Sequence, residues 1–85
     1  MKEFQYIIQD KLGIHARPAG LLVKLAKGYT SKITISKGDQ LADVTKLIAL
    51  MGLGIKMNDK ITVSAEGEDE AQTITALQDF FVTYL

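Results

Sequence analysis

The residue types that could do chemistry are gathered in one place. The single histidine, single arginine and single proline of the chain, His15, Arg17 and Pro18, all fall in the four-residue window HARP. Proline is tolerated in the first turn of a helix, where the amide it lacks would have no intrahelical partner, so Pro18 predicts a helix that starts at about Ala16. His15 then stands at or beside the cap. A helix N-terminus presents unpaired N–H groups and a partial positive charge, which together bind an anion such as phosphate. The helix start at Ala16, Arg17 and Pro18 is thus a candidate phosphate-binding turn, with the His15 ring held over it. The same field disfavours a protonated imidazole and keeps more of the ring in its neutral, nucleophilic form, and Arg17 adds to the effect. A helix end contributes about 0.3 to 1 kcal/mol when exposed and up to about 2 when partly buried, so it biases phosphorylation without driving it. Arg17 can offer phosphate oxygens charge-assisted donors in a planar geometry that lysine does not reproduce. Residue chemistry alone leaves two readings open for His15: a phosphoryl acceptor, or a cap or surface residue with no chemistry.

The elements that must position this window follow from periodicity. Residues 2–8 carry Phe4, Tyr6 and Ile8 at the two-residue spacing of a half-buried strand. From Ala16 to Lys27, Ala19, Leu22, Val23 and Ala26 fall on one helical face, and Lys27 before Gly28 predicts a stop with the glycine in the left-handed conformation. Residues 32–37 alternate on Ile33 and Ile35, the turn KGDQ follows, and a short run over 41–44 completes a hairpin. Residues 45–53 hold Leu47, Ile48, Leu50, Met51 and Leu53, more apolar surface than one face of a two-turn helix can hide, and Gly52 and Gly54 limit its length. Ile61, Val63 and Ala65 give a fourth strand, and the acidic run EGEDE opens a last helix with a stripe of Ile74, Leu77, Phe81 and Tyr84. The order β-α-β-β-α-β-α predicts an α+β fold, a two-layer sandwich whose four-stranded antiparallel sheet carries three helices on one face and is solvated on the other. No repeat or linker divides the chain, so residues 1–85 are expected to form one domain.

Composition removes several function classes. Ten basic side chains balance ten acidic ones, so no long-range field draws the molecule onto nucleic acid or an anionic membrane. The absence of cysteine excludes disulfides, a thiolate nucleophile and a cysteine-based metal site, and no metal or other cofactor is expected. No stretch is long and apolar enough for a secretory signal or a membrane span, so a cytoplasmic location is expected. The element order also suits a ferredoxin-like RNA-binding module, but the central hairpin strand offers only Ile33 and Ile35 and no aromatic pair for base stacking. One histidine without cysteine supplies neither a metal cluster nor a catalytic triad, and no pocket-sized concavity is expected. A stand-alone catalyst is therefore not the reading.

Leu47, Ile48 and Met51, at i, i+1 and i+4, are either core or an exposed ridge, with Leu50 turned inward. The excess over one face favours a ridge, and methionine suits a surface that must fit several partners. Lys24 and Lys27 would flank it and steer acidic partners.

The segment GIHARPAGLLVKLA resembles the active-site segment of the histidine-containing phosphocarrier (HPr) family of the bacterial sugar phosphotransferase system. The later stretch IALMGLGIKMNDKITVSAEGEDE resembles the family's second landmark, and the likeness extends over essentially all 85 residues. The resemblance implies an open-faced β-sandwich in which His15 is phosphorylated on Nδ1 by enzyme I, using phosphoenolpyruvate, and passes the group to enzyme IIA proteins. It implies that Arg17 steadies the phosphoryl group, that Pro18 starts the helix, and that the Leu47, Ile48 and Met51 positions dock partners onto a monomeric carrier. A family member serving a regulatory partner instead of sugar uptake fits the same residues. One departure stands out. Where many family members carry a regulatory serine at the start of the second helix, this chain has Lys46, which the serine kinase cannot phosphorylate. Thr45 beside it would point about 100° away around a helix, a poor substitute.

Overall fold

Strand positions alternate and helix positions bury one stripe because each element faces a shared core on one side and water on the other. A computed structural model describes residues 1–85. The elements are β1 (Lys2–Ile7), α1 (Ala16–Lys27), β2 (Lys32–Lys37), β3 (Gln40–Asp43), α2 (Leu47–Met51), β4 (Lys60–Glu66) and α3 (Glu70–Tyr84). The four strands form one antiparallel sheet in the order β1-β4-β2-β3. Val63 of β4 pairs with Phe4 on one side and Ile35 on the other, which puts the apolar set of three strands in register. Ile33, Ile35, Ala42, Ile61, Val63 and Ala65 are buried beneath the helices. Thr34, Ser36, Thr62 and Ser64 alternate with them on the opposite, partly exposed face. β-branched side chains suit both faces of such a pleated surface. The α+β two-layer sandwich read from the element order is the observed fold.

Phe81 is the keystone of the layer between α3 and β1. It is fully buried, and the rings of Phe4, Tyr6 and Phe80 meet it edge to face with centroids 5.7, 5.6 and 6.1 Å away. Edge-to-face contacts of this kind add to the area the ring removes from water.

Four local expectations are corrected. Tyr84 is 50% exposed, and Phe80 takes the buried place beside Phe81. Tyr84 instead leans on Phe80, centroids 4.7 Å apart. Gly28 is right-handed, at φ −79° and ψ −5°, not left-handed. Its N–H donates to the Leu25 carbonyl and that of Tyr29 to the Ala26 carbonyl, so α1 ends in tight i to i−3 turns that need no positive φ. The first strand stops at Ile7, yet Ile8 just beyond it is fully buried, its N–H on the Asp59 carbonyl. Thr45 lies outside α2, in the turn before it, where its hydroxyl and N–H both donate to Asp43 Oδ1 at 2.6 and 2.8 Å. These two bonds hold the Asp43 carboxyl below its ordinary range.

Asp69, at the start of α3, bonds across the fold rather than to its own helix amides. Its carboxylate accepts the Thr30 N–H at 2.8 Å, the Ser31 N–H at 2.9 Å and the Ser31 hydroxyl, and the Thr73 hydroxyl lies at 3.2 Å. The Ser31 hydroxyl first, and the Thr30 N–H second, hold the carboxyl far below its ordinary range. Asp59, bonded by Lys37, and Glu70, bonded by the N-terminal amine, are lowered as well. A carboxyl lowered in the fold binds protons more readily in the unfolded chain. The stability it contributes is present above its unfolded pKa, about 4, and is lost as the pH falls through the folded value. The urea midpoint is therefore expected to drop between pH 7 and pH 3, and Asp69→Asn to shrink that drop. An Asp69→Asn chain with the full pH dependence would show that this clasp is not its source.

Candidate functional site

The loop between β1 and α1 brings the HARP window to its place, and its geometry rests on Gly13. Gly13 adopts φ +67°, and a Cβ there would lie 2.3 Å from the Ile55 carbonyl oxygen. Only a residue without a side chain lets the two backbones meet so closely. Next to that contact the Ile14 N–H donates to the Ile55 carbonyl at 3.1 Å. Upstream, the Leu12 N–H donates to Asp10 Oδ1 at 2.8 Å and the Gly13 N–H to the Asp10 carbonyl at 2.9 Å. The N–H groups of Gln9 and Asp10 both donate to the Leu85 oxygen at the end of α3. The loop is thus held from three sides.

His15 is the N-cap of α1, with extended backbone at φ −108° and ψ −178°. Its side chain caps no amide and is 38% exposed. The first bond of the helix runs from the Ala19 N–H to the His15 carbonyl, 2.9 Å. The N–H groups of Ala16 and Arg17 have no partner in the protein, as expected for a first turn. Pro18 is the third residue of that turn and brings no N–H. The first turn therefore presents two free amides, and the buried Pro18 contributes backbone conformation only. Arg17 is exposed and in no ion pair. His15, Arg17 and Pro18 line one depression of about 310 Å³ together with Asp10, Leu21 and Tyr84.

The sequence marks none of these three neighbours as a site residue. Asp10 Oδ2 faces His15 Nε2 at 3.9 Å. The only signal was an acidic residue five positions before the histidine, across a glycine, and no periodicity tells that such a loop folds back. Tyr84 comes from the other end of the chain.

The ridge on α2 is exposed as expected. Ile48 is 83% exposed, Leu47 and Met51 are also open, and Leu50 beneath them is 1% exposed. α2 packs on α1, so ridge and HARP window belong to adjoining helices. Lys24 and Lys27, three residues apart and so neighbours on the helix surface, are both exposed on α1. Lys24 lines a groove between α1 and α3 with Leu21, Leu25, Asp79 and Phe80. Lys27, about 60° further around the helix, lies on the side of Ala16 and Gly20. The groove spans about 830 Å³ and lies wide open to solvent, without the enclosing walls of a substrate pocket. Lys46, the N-cap of α2, is exposed. No helix is long and apolar enough to cross a membrane.

The family model for the HPr component phosphorylation site of the phosphotransferase system matches residues 2–83. The phosphocarrier protein HPr of Mycoplasma genitalium is 39% identical over 79 residues, 92% of this chain and 90% of that protein. A solved histidine-containing phosphocarrier protein from Mycoplasma superposes with a TM-score of 0.94 at 35% identity, covering 96% of this chain and 93% of the other. An HPr structure from Thermoanaerobacter tengcongensis gives 0.93 at 36% identity, covering 98% and 93%.

Proposed function

This chain belongs to the HPr family of phosphotransferase-system phosphocarriers, and from that premise we propose that His15 is its phosphoryl acceptor and Arg17 the residue that steadies the group. The observation that carries the reading is the depression at the start of α1. There the chain's only histidine and an unpaired arginine line one depression, at a first helical turn whose Ala16 and Arg17 amides are free.

In the forward step the lone pair of His15 Nδ1 attacks phosphorus as the donor's bond to phosphorus breaks, and that electron pair stays with the donor. The Ala16 and Arg17 amides and the Arg17 guanidinium take the phosphoryl oxygens. In the return step the acceptor attacks the same phosphorus and the ring nitrogen leaves with its electron pair. Nothing in either step needs a metal or a second catalytic group on the carrier, which acts as a co-substrate of its partners. The donor is enzyme I and the acceptors are enzyme IIA proteins, in the cytoplasm. Docking uses the Leu47, Ile48 and Met51 ridge, with Lys24 and Lys27 as outlying charges that draw acidic surfaces, and the chain works as a single-domain monomer.

Regulation by a phosphoserine at the start of α2 is absent. Lys46 stands there, and the Thr45 hydroxyl is engaged by the Asp43 carboxylate, beside which a phosphate would meet like charge. Incubation with phosphoenolpyruvate and enzyme I tests the relay. One added phosphate, acid-labile, base-stable and mapped to residue 15, is the expected result. A phosphate on any other residue, or none, refutes it.

A further inference from the structure

We propose that Asp10 is a positioning residue for the His15 ring: it keeps the proton on Nε2, so that Nδ1 presents a lone pair to phosphorus. The inference rests on the phosphocarrier reading and adds to it a residue outside the HARP window.

The carboxylate is divided between two tasks. Oδ1 accepts the Leu12 N–H at 2.8 Å, and the Asp10 carbonyl accepts the Gly13 N–H at 2.9 Å, so the residue is locked into the turn that leads to His15. Its own N–H is held by the Leu85 oxygen. With Oδ1 committed, Oδ2 is left facing Nε2 at 3.9 Å. A small turn of the ring would close that gap to a hydrogen bond, and hydrogen bonds at reacting groups are commonly long before the partner arrives. Arg17 and the Tyr84 phenol also line the depression, and Lys11 follows Asp10 in sequence. Neither Arg17 nor Lys11 is paired with Asp10, so its charge is directed at the ring.

A neutral imidazole carries its one proton on either nitrogen, and the bond made by one nitrogen decides which. An acceptor at Nε2 favours the tautomer with a free Nδ1. When Nδ1 takes the phosphoryl group and the donor's bond to phosphorus breaks, no proton has to leave Nδ1, and the ring, still protonated on Nε2, becomes cationic. The Asp10 carboxylate faces that developing charge. On hand-over the Nδ1–phosphorus electron pair returns to the ring, which reverts to the neutral Nε2–H form.

Asp10→Asn separates this role from loop architecture. The asparagine carbonyl keeps the Leu12 N–H, which turns its NH₂ toward Nε2 and makes that nitrogen an acceptor. The proton then moves to Nδ1 and blocks the nucleophile. Long-range ¹H–¹⁵N correlation spectra of the whole chain, recorded where the ring is neutral, read the tautomer without any partner. Asp10→Asn is expected to move the population from Nε2–H toward Nδ1–H and to slow phosphorylation by enzyme I by about tenfold or more. Asp10→Ser, whose hydroxyl can still accept the Leu12 N–H without presenting a fixed donor to the ring, is expected to fall between the two. An unchanged tautomer in Asp10→Asn overturns the inference, whether the rate falls or not, because a slow chain with the normal tautomer has lost only loop geometry. A wild-type chain that takes no phosphate refutes the function, while the tautomer comparison still decides the part played by Asp10.

Discussion

His15→Ala is expected to abolish phosphoryl acceptance while leaving the fold as stable as before. The loss is complete because the chain has no other histidine and no cysteine to receive the group in its place. The stability follows from what the ring does not do. It caps no amide, it fills no core position, and the N-cap backbone is extended, a conformation alanine adopts freely. Exposed substitutions of this kind stay within about 0.5 kcal/mol, roughly 2 to 4 °C in the thermal midpoint of a domain this size. Calorimetry and phosphate incorporation on the same preparation check both halves. A variant that loses 10 °C would show that the ring is structural, and one that still takes up acid-labile phosphate would place the acceptor elsewhere.

Gly13→Ala is expected to damage stability and phosphorylation together. A left-handed backbone costs an alanine about 1 to 2 kcal/mol, and the new Cβ, 2.3 Å from the Ile55 oxygen and 2.7 Å from Lys56 Cα, forces the two loops apart. Separation also weakens the bond from Ile14 to Ile55, about 1 kcal/mol more. The sum is about 2 to 3 kcal/mol, a large share of what so small a protein has. His15 shifts with the loop, so acceptance slows even in the folded fraction. Gly54 is the internal control. It too has a positive φ, +61°, but a Cβ there meets nothing within 4 Å, so Gly54→Ala carries only the backbone cost. Equal losses from the two substitutions, measured by urea unfolding, would refute the close-approach argument.

What could be read in advance was whatever repeats along the chain. The alternation of Ile33 and Ile35, or of Ile61 and Val63, gives away a strand with one buried side, and the stripe of α1 gives away its helix. The overloaded α2 announced an exposed ridge because five apolar residues exceed what so short a helix can cover. The features that escaped depend on residues distant in sequence. Asp69 meets Ser31 across 38 positions, and the reason for a glycine at 13 lies at Ile55. The end of α1 and the exchange of Tyr84 for Phe80 were misread for a local reason: near a helix end a tight turn or a ring stacked at the rim competes evenly with the regular pattern. In the candidate site, the placing of His15 and Arg17 at a helix start is legible from residue type, whereas the approach of Asp10 is not, since it depends on the loop doubling back.

The strand order has a consequence for the order of assembly. β1 has no strand partner except β4, some sixty residues later, and the HARP loop hangs between β1 and the Ile55 carbonyl. A half-made chain on the ribosome therefore carries His15 early but has nothing to brace it. Pairings between such distant segments are slow to form, because a long loop must close before any contact rewards it. β4 must therefore be made and docked before the HARP loop is braced as it is in the finished fold.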